Sequence, residues 1–155
     1  MLSVDASAAA IALVNDPPAS SSAALPPDKN LLVHVGDRFI GRYTCTQGPT
    51  DLTIRLESIG RGEGEIEVEA TIEFNYDGST GHTAAEGSYH ASGNFDPRTR
   101  RLQLRGDRWI DQPTNYSMVK FVGALSKRGD TYSGSVDTAG CSSFTTSVER
   151  DEEEH

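Results

Sequence analysis

From Gly36 to Val148, apolar and polar residues alternate in short runs separated by glycine- and aspartate-rich breaks. A repeat of two predicts β-strands rather than helices. A first strand puts Phe39, Gly41, Tyr43 and Cys45 on one face. In a second, Leu52, Ile54 and Leu56 alternate with Thr53, Arg55 and Glu57. The third is the clearest: Ile66, Val68, Ala70, Ile72 and Phe74 interleave with Glu65, Glu67, Glu69, Thr71 and Glu73. A helix would scatter those apolar residues around its axis, whereas a strand gathers them on one side and leaves the glutamates in water. Gly60, Gly62 and Gly64 read as the turn before it, and Asp77–His82 as a long polar loop. Tyr89, Ala91, Gly93 and Phe95 mark a fourth strand, followed by a type I turn signal in Asp96-Pro97-Arg98-Thr99. Leu102 and Leu104 carry a fifth strand and Val119, Phe121, Gly123 and Leu125 a sixth. After a turn at Lys127–Asp130, Tyr132, Gly134 and Val136 carry a seventh, and Phe144, Thr146 and Val148 an eighth.

Eight short strands with hairpin-length connections predict an all-β meander. Gly41, Gly93, Gly123 and Gly134 fall at inward positions, where glycine marks a sharp bend or a close approach of backbones. The expected fold is therefore an eight-stranded antiparallel up-and-down barrel of the lipocalin or avidin kind, with a β-sandwich as the alternative. Residues 1–30, rich in Ala, Ser and Pro, read as a disordered or extended arm. Residues 31–149 form the barrel domain, within which Leu31–Val35 is a short strand or a segment packed on it. Residues 150–155 are an acidic tail.

The chain has two cysteines, Cys45 in the first strand and Cys141 just before the last. They are either a disulfide or two buried thiols. In a β-domain with few other stabilisers the disulfide is favoured, closing a loop of about 97 residues, which the chain-entropy model values at ~4–5 kcal/mol. If formed, it favours an oxidising compartment or secretion. The apolar run Ala8–Val14 lacks a basic flank and follows Asp5; it reads as a weak signal sequence, a remnant of a longer precursor, or a tail.

A formal net charge of −9 argues against nucleic acid and anionic membrane surfaces, which need a basic patch. No stretch reaches the ~20 apolar residues of a membrane span. The most distinctive segment is Trp109-Ile110-Asp111-Gln112-Pro113-Thr114-Asn115-Tyr116, which holds the only tryptophan. It reads as a strand connection at a barrel rim. There, either Trp109 and Tyr116 form aromatic walls with Gln112 as a polar contact, or Trp109 plugs the barrel end and Pro113 stiffens the turn. Gln47 and Thr50, in the first hairpin, are the other rim candidates.

Catalytic chemistry finds little support. Cys45 has no histidine in a spacing that marks a nucleophile and its base. His34, His82, His90 and His155 form no metal-ligand spacing, although His82 with Asp77 shares one polar loop. His90 is expected outward and solvated. The third-strand glutamates point out, away from any paired-carboxylate geometry, and no glycine loop opens a helix to cradle phosphate. No catalytic residue, metal or cofactor is expected. Asn115-Tyr116-Ser117 matches a glycosylation sequon.

Gly41-Arg42-Tyr43-Thr44-Cys45-Thr46-Gln47-Gly48-Pro49-Thr50 and Trp109–Met118 form a G-x-Y-x-C-x-Q-G-x-T … W-I-x-Q-P-x-x-Y-x-M pattern. It resembles small, poorly characterised domains in bacterial multidomain proteins, some of which carry a caspase-like peptidase. Gly134-Ser135-Val136 and Gly140–Phe144 are similar to the same pattern, and the resemblance covers about residues 36–148. It implies an accessory or sensing module and carries over no catalytic residue. The expected function is a non-catalytic binding or interaction module, an accessory protein or subunit with a protein partner or small ligand. The alternative is a small-molecule-binding calycin-like barrel. A hydrolase or isomerase would need an inward polar cluster that the sequence does not display.

Overall fold

The computed structural model describes residues 32–61, 65–114 and 116–150. The N-terminal arm, Gly62, Gly64, Asn115 of the sequon, His155 and the rest of the acidic tail beyond Arg150 lie outside the described residues. The strands are β1 (Arg38–Cys45), β2 (Gly48–Arg61), β3 (Ile66–Tyr76), β4 (Ala85–Asp96), β5 (Arg101–Asp111), β6 (Lys120–Leu125), β7 (Thr131–Val136) and β8 (Cys141–Glu149). Each pairs antiparallel with the next, and β1 also pairs with β8, so the sheet closes into an up-and-down barrel with its strands in sequence order. The sandwich alternative is excluded by that last pairing.

The alternation dictates the inside. Phe39, Leu52, Ile54, Leu56, Val68, Ala70, Ile72, Phe95, Leu102, Leu104 and Phe121 are buried in a single core cluster, while Glu65, Glu67, Glu69 and Glu73 are exposed. A chain of rings runs along the interior: Tyr43 meets Phe121 edge-on at 5.7 Å, Phe121 meets Phe144 at 5.1 Å, Phe144 meets Tyr132 at 4.8 Å and Tyr132 meets Phe39 at 5.3 Å. These tilted and edge-on geometries suit the ring quadrupoles. The inward glycines allow the tight closure. A Cβ at Gly41, Gly93, Gly123 or Gly134 would fall onto a backbone carbonyl oxygen of a neighbouring strand.

Two strands run longer than their alternation indicates. In β2, Leu56 pairs with Ala70 but Ser58 with Glu69, so a bulge at Glu57 shifts the phase and turns Ile59 inward. Gly60, expected in a turn, is paired with Glu67 inside the strand. In β5, Ala91 faces Gly106 and His90 faces Arg108, and a second irregularity separates Tyr89↔Trp109 from Ser88↔Asp111. Trp109 is therefore a strand residue rather than part of the connection, which begins at Gln112. A bulge adds one residue to one strand and inverts the in–out order beyond it, which is why period-two reading stopped at Leu104.

The two barrel ends differ. At the end where β1 starts, Leu32–Asp37 folds across the opening without becoming a strand; Val33 is fully buried and Leu32 packs on the core. His34 to Asp37 is a turn closed by Asp37 N–H donating to the His34 carbonyl (3.0 Å), with Gly36 at φ 93°, a conformation glycine adopts freely. The Asp37 carboxylate, 2% exposed, accepts from His34 N–H (2.9 Å) and from Arg150 Nε (2.9 Å) and Nη2 (3.2 Å), and Arg150 also donates to the Leu32 carbonyl (3.0 Å). This clasp ties the plug to the end of β8. Asp37→Ala is expected to destabilise the fold by about 2 kcal/mol, the range for charge-assisted hydrogen bonds. Arg150→Ala should cost at least as much, because it leaves the buried Asp37 carboxylate without its charged partner, whereas the half-exposed guanidinium left by Asp37→Ala can turn to water. Urea denaturation of both variants checks this; wild-type stability in D37A would contradict the clasp.

Candidate functional site

The other barrel end is where the β1–β2, β3–β4, β5–β6 and β7–β8 connections gather, and there the molecule has a cavity of about 420 Å³. Its wall is built from Tyr43 and Cys45 at the end of β1, Thr46 and Gln47 of the first hairpin, and His82 and Thr83 of the long polar loop. Thr114, Tyr116, Ser117 and Val119 of the β5–β6 connection and Thr138–Cys141 of the β7–β8 turn complete it. Among the described residues, the lining contains no Asp, Glu, Lys or Arg, although the chain carries 23 acidic and 14 basic residues.

Hydrogen bonds between the loops hold this mouth in shape. The buried Tyr76 hydroxyl accepts from Thr80 N–H (3.1 Å) and His82 N–H (3.3 Å). The Thr80 hydroxyl contacts Tyr76 Oη and donates to the Gln47 carbonyl, joining the long loop to the first hairpin. Gln47 Nε2 donates to Thr50 Oγ1 (2.8 Å), and Thr46 Oγ1 donates to the Gly140 carbonyl (3.1 Å) across to the β7–β8 turn. Tyr89 Oη donates to the Val119 carbonyl (3.4 Å) and lies 3.3 Å from Val119 N–H, which anchors the β5–β6 connection from below. The Cys45–Cys141 disulfide closes the β1–β8 seam at the mouth and forms part of the cavity wall. It is compatible with an oxidising compartment.

The five residues expected at a rim all lie at this end, in different roles. Tyr116 stacks on Phe74 (centroids 5.5 Å, 19° between planes), and Trp109 meets Phe74 at 6.2 Å and Tyr89 at 5.3 Å. Trp109 and Tyr116 thus share Phe74 as a common neighbour, but only Tyr116 lines the cavity; Trp109 packs against the core behind it. Gln47 lines the cavity too. Gln112 is exposed and its Nε2 donates to the Tyr116 carbonyl (3.4 Å). Thr50 is fully buried, its hydroxyl held between Gln47 and the Gly48 carbonyl.

Sequence reading missed Tyr43 as a site residue because its inward position made it look like ordinary core. It also missed Thr138–Gly140, a short loop with no periodic signal. Burial pushes the Tyr43 phenol well above its usual range, reinforced by Tyr89 and Tyr116. Burial, then Tyr76, raises that of Tyr116.

Elsewhere, His90 is not simply solvated. Its side chain is 14% exposed, with Nδ1 2.9 Å from both Asp107 oxygens and Nε2 3.6 Å from Glu69. Asp107 is the residue added by the β5 bulge. Asp77, paired with His82 in the sequence reading, instead accepts from Ser79 N–H (2.9 Å), and that bond holds its carboxyl below the usual range. Among the described residues, no three His, Cys, Asp or Glu side chains gather closely enough to hold a metal ion, and no helix is long and apolar enough to cross a membrane. On the outer wall, Asp51, Glu73, Glu86 and Asp111 border a shallow groove of about 310 Å³.

No protein-family model matches the chain, and no curated protein matches it in sequence.

Proposed function

We propose that this barrel is a non-catalytic receptor for a small molecule, held at the mouth beside the disulfide. The observation that carries the reading is the contrast between the ends: one is plugged by Leu32–Asp37 under the Arg150 clasp, while the other opens on a cavity of about 420 Å³. That volume falls in the range of small-ligand sites, and its mix of aromatic surface with a few polar groups is their usual chemistry. The loops around it are cross-tied by Thr80–Gln47 and Thr46–Gly140, so binding would order few groups, which favours affinity. An oxidising, secreted setting agrees with the disulfide in the cavity wall.

Titration with the neutral solvatochromic dye Nile red tests this. Saturable one-to-one binding with a shift in dye emission is expected. Ser117→Trp, on an exposed lining position, should abolish it by filling the mouth. Absence of saturable binding, or binding that survives the tryptophan, overturns the reading in favour of a protein-interaction module.

A further inference from the structure

The described tyrosines other than Tyr116 are Tyr43, Tyr76, Tyr89 and Tyr132, and all four are almost completely buried. Three have their hydroxyls engaged. Tyr76 serves Thr80 and His82, Tyr89 serves Val119, and Tyr132 donates to the Leu102 carbonyl at 2.7 Å. Tyr43, 4% exposed, has no hydrogen-bond partner among the described residues. The one sealed, unpartnered side-chain polar atom among the described residues is His34 Nδ1, at the opposite end. The ring of Tyr43 is held edge-on by Phe121, and the residue lines the cavity. A hydroxyl on a cavity wall gives up its water when a ligand covers it, and then needs an acceptor on that ligand. A molecule seated in the cavity that Tyr43 lines is placed to supply it.

Building on the small-molecule reading above, we propose that the ligand is an uncharged molecule with an accepting oxygen, of the ketone, ester or lactone class, and that Tyr43 Oη donates to that oxygen while Tyr116 covers the ligand's apolar part. Three features select this class. Among the described residues the lining has no Asp, Glu, Lys or Arg to compensate an ionic ligand's lost hydration, His82 being its one ionisable side chain outside the tyrosines. The carboxylates Glu73, Glu86 and Asp111 on the outer wall, beside an Asp51 paired with Arg42, repel anions from that side of the barrel. Burial keeps the Tyr43 phenol protonated across the physiological range, so it offers a proton and seeks an acceptor. Tyr116, stacked on Phe74, presents an aromatic surface already fixed in place.

The test uses three rigid probes built on one tricyclic frame, read by displacement of Nile red from the full chain. These are 9-fluorenone, which carries the accepting oxygen; fluorene, which lacks it; and fluorene-9-carboxylate, which is charged. Wild type should prefer fluorenone to fluorene by about tenfold, the scale of one net hydrogen bond, and should bind the carboxylate weakest. In Tyr43→Phe the preference for fluorenone over fluorene should vanish, with the thermal midpoint showing that the variant is folded. Equal binding of fluorenone and fluorene by wild type, or a preference that persists in Y43F, overturns the assignment of Tyr43 while leaving a hydrophobic receptor intact. Strongest binding by the carboxylate overturns the uncharged class. No saturable Nile red binding at all overturns the receptor reading, and this inference with it.

Discussion

A Cys45→Ser/Cys141→Ser double variant should lose about 4–5 kcal/mol of unfolding free energy, measured by urea denaturation against the oxidised wild type. The bridge spans 96 positions in sequence, and closing a loop of that size removes chain entropy from the unfolded state on this scale. Most domains hold only 5–15 kcal/mol in all, so the reduced protein should be marginal. The loss should also be local. From Arg38↔Glu149 to Tyr43↔Phe144 the β1–β8 seam is a continuous ladder, but the register slips before Cys45↔Cys141. The disulfide therefore closes the stretch where backbone pairing is interrupted. Hydrogen exchange in the reduced protein should rise first at Thr44–Gln47 and Thr138–Ser142, the same segments that wall the cavity. A double variant within about 1 kcal/mol of wild type would show that the seam closes without the bond.

Gly93→Val should be the most damaging single substitution on the β4–β5 pair. A Cβ at Gly93 would fall onto the carbonyl oxygen of Gln103, with the Leu104 backbone close behind. These are backbone atoms of a paired strand, Gly93 facing Leu104 across the ladder, so no rotamer change relieves the overlap. Overpacking against movable side chains costs about 1–3 kcal/mol; here the strands themselves must separate, and a loss of about 3 kcal/mol or more is expected. Ser92→Ala, the adjacent outward residue, should stay within about 0.5 kcal/mol. The comparison of thermal and urea midpoints separates a steric effect at Gly93 from general sensitivity of β4. A G93V protein as stable as S92A would remove close backbone approach as the reason for glycine.

Local pattern carried much of this fold because the strands obey it. The third strand, with Ile66 to Phe74 inward against exposed glutamates, reads the same in sequence and in space. The inward glycines correctly marked where strands crowd, and the two cysteines correctly placed the first and last strands together. Pattern failed where one added residue changed the phase. The bulges at Glu57 and Asp107 hid the ends of β2 and β5, turning Ile59 inward and placing Trp109 within a strand. The rim residues were legible as a neighbourhood, since Gln47, Thr50, Trp109, Gln112 and Tyr116 all adjoin connections at one end. Their division of labour was not. Thr50 is buried under Gln47 and Trp109 backs the core, and both outcomes depend on partners far away in the chain.

The amino-acid order by itself determined the alternation, hence the strands, their inward faces and the demand that eight of them enclose one apolar middle. That follows because side-chain direction along a strand is a local, period-two property. Which end the Leu32–Asp37 segment covers, and which of the buried tyrosines lines the cavity at the other, was decided only in three dimensions. Those facts rest on Asp37 meeting Arg150, Thr46 meeting Gly140 and Tyr89 meeting Val119. Contacts between residues so far apart in the chain exist only after closure has brought them together, and no short window of sequence contains them.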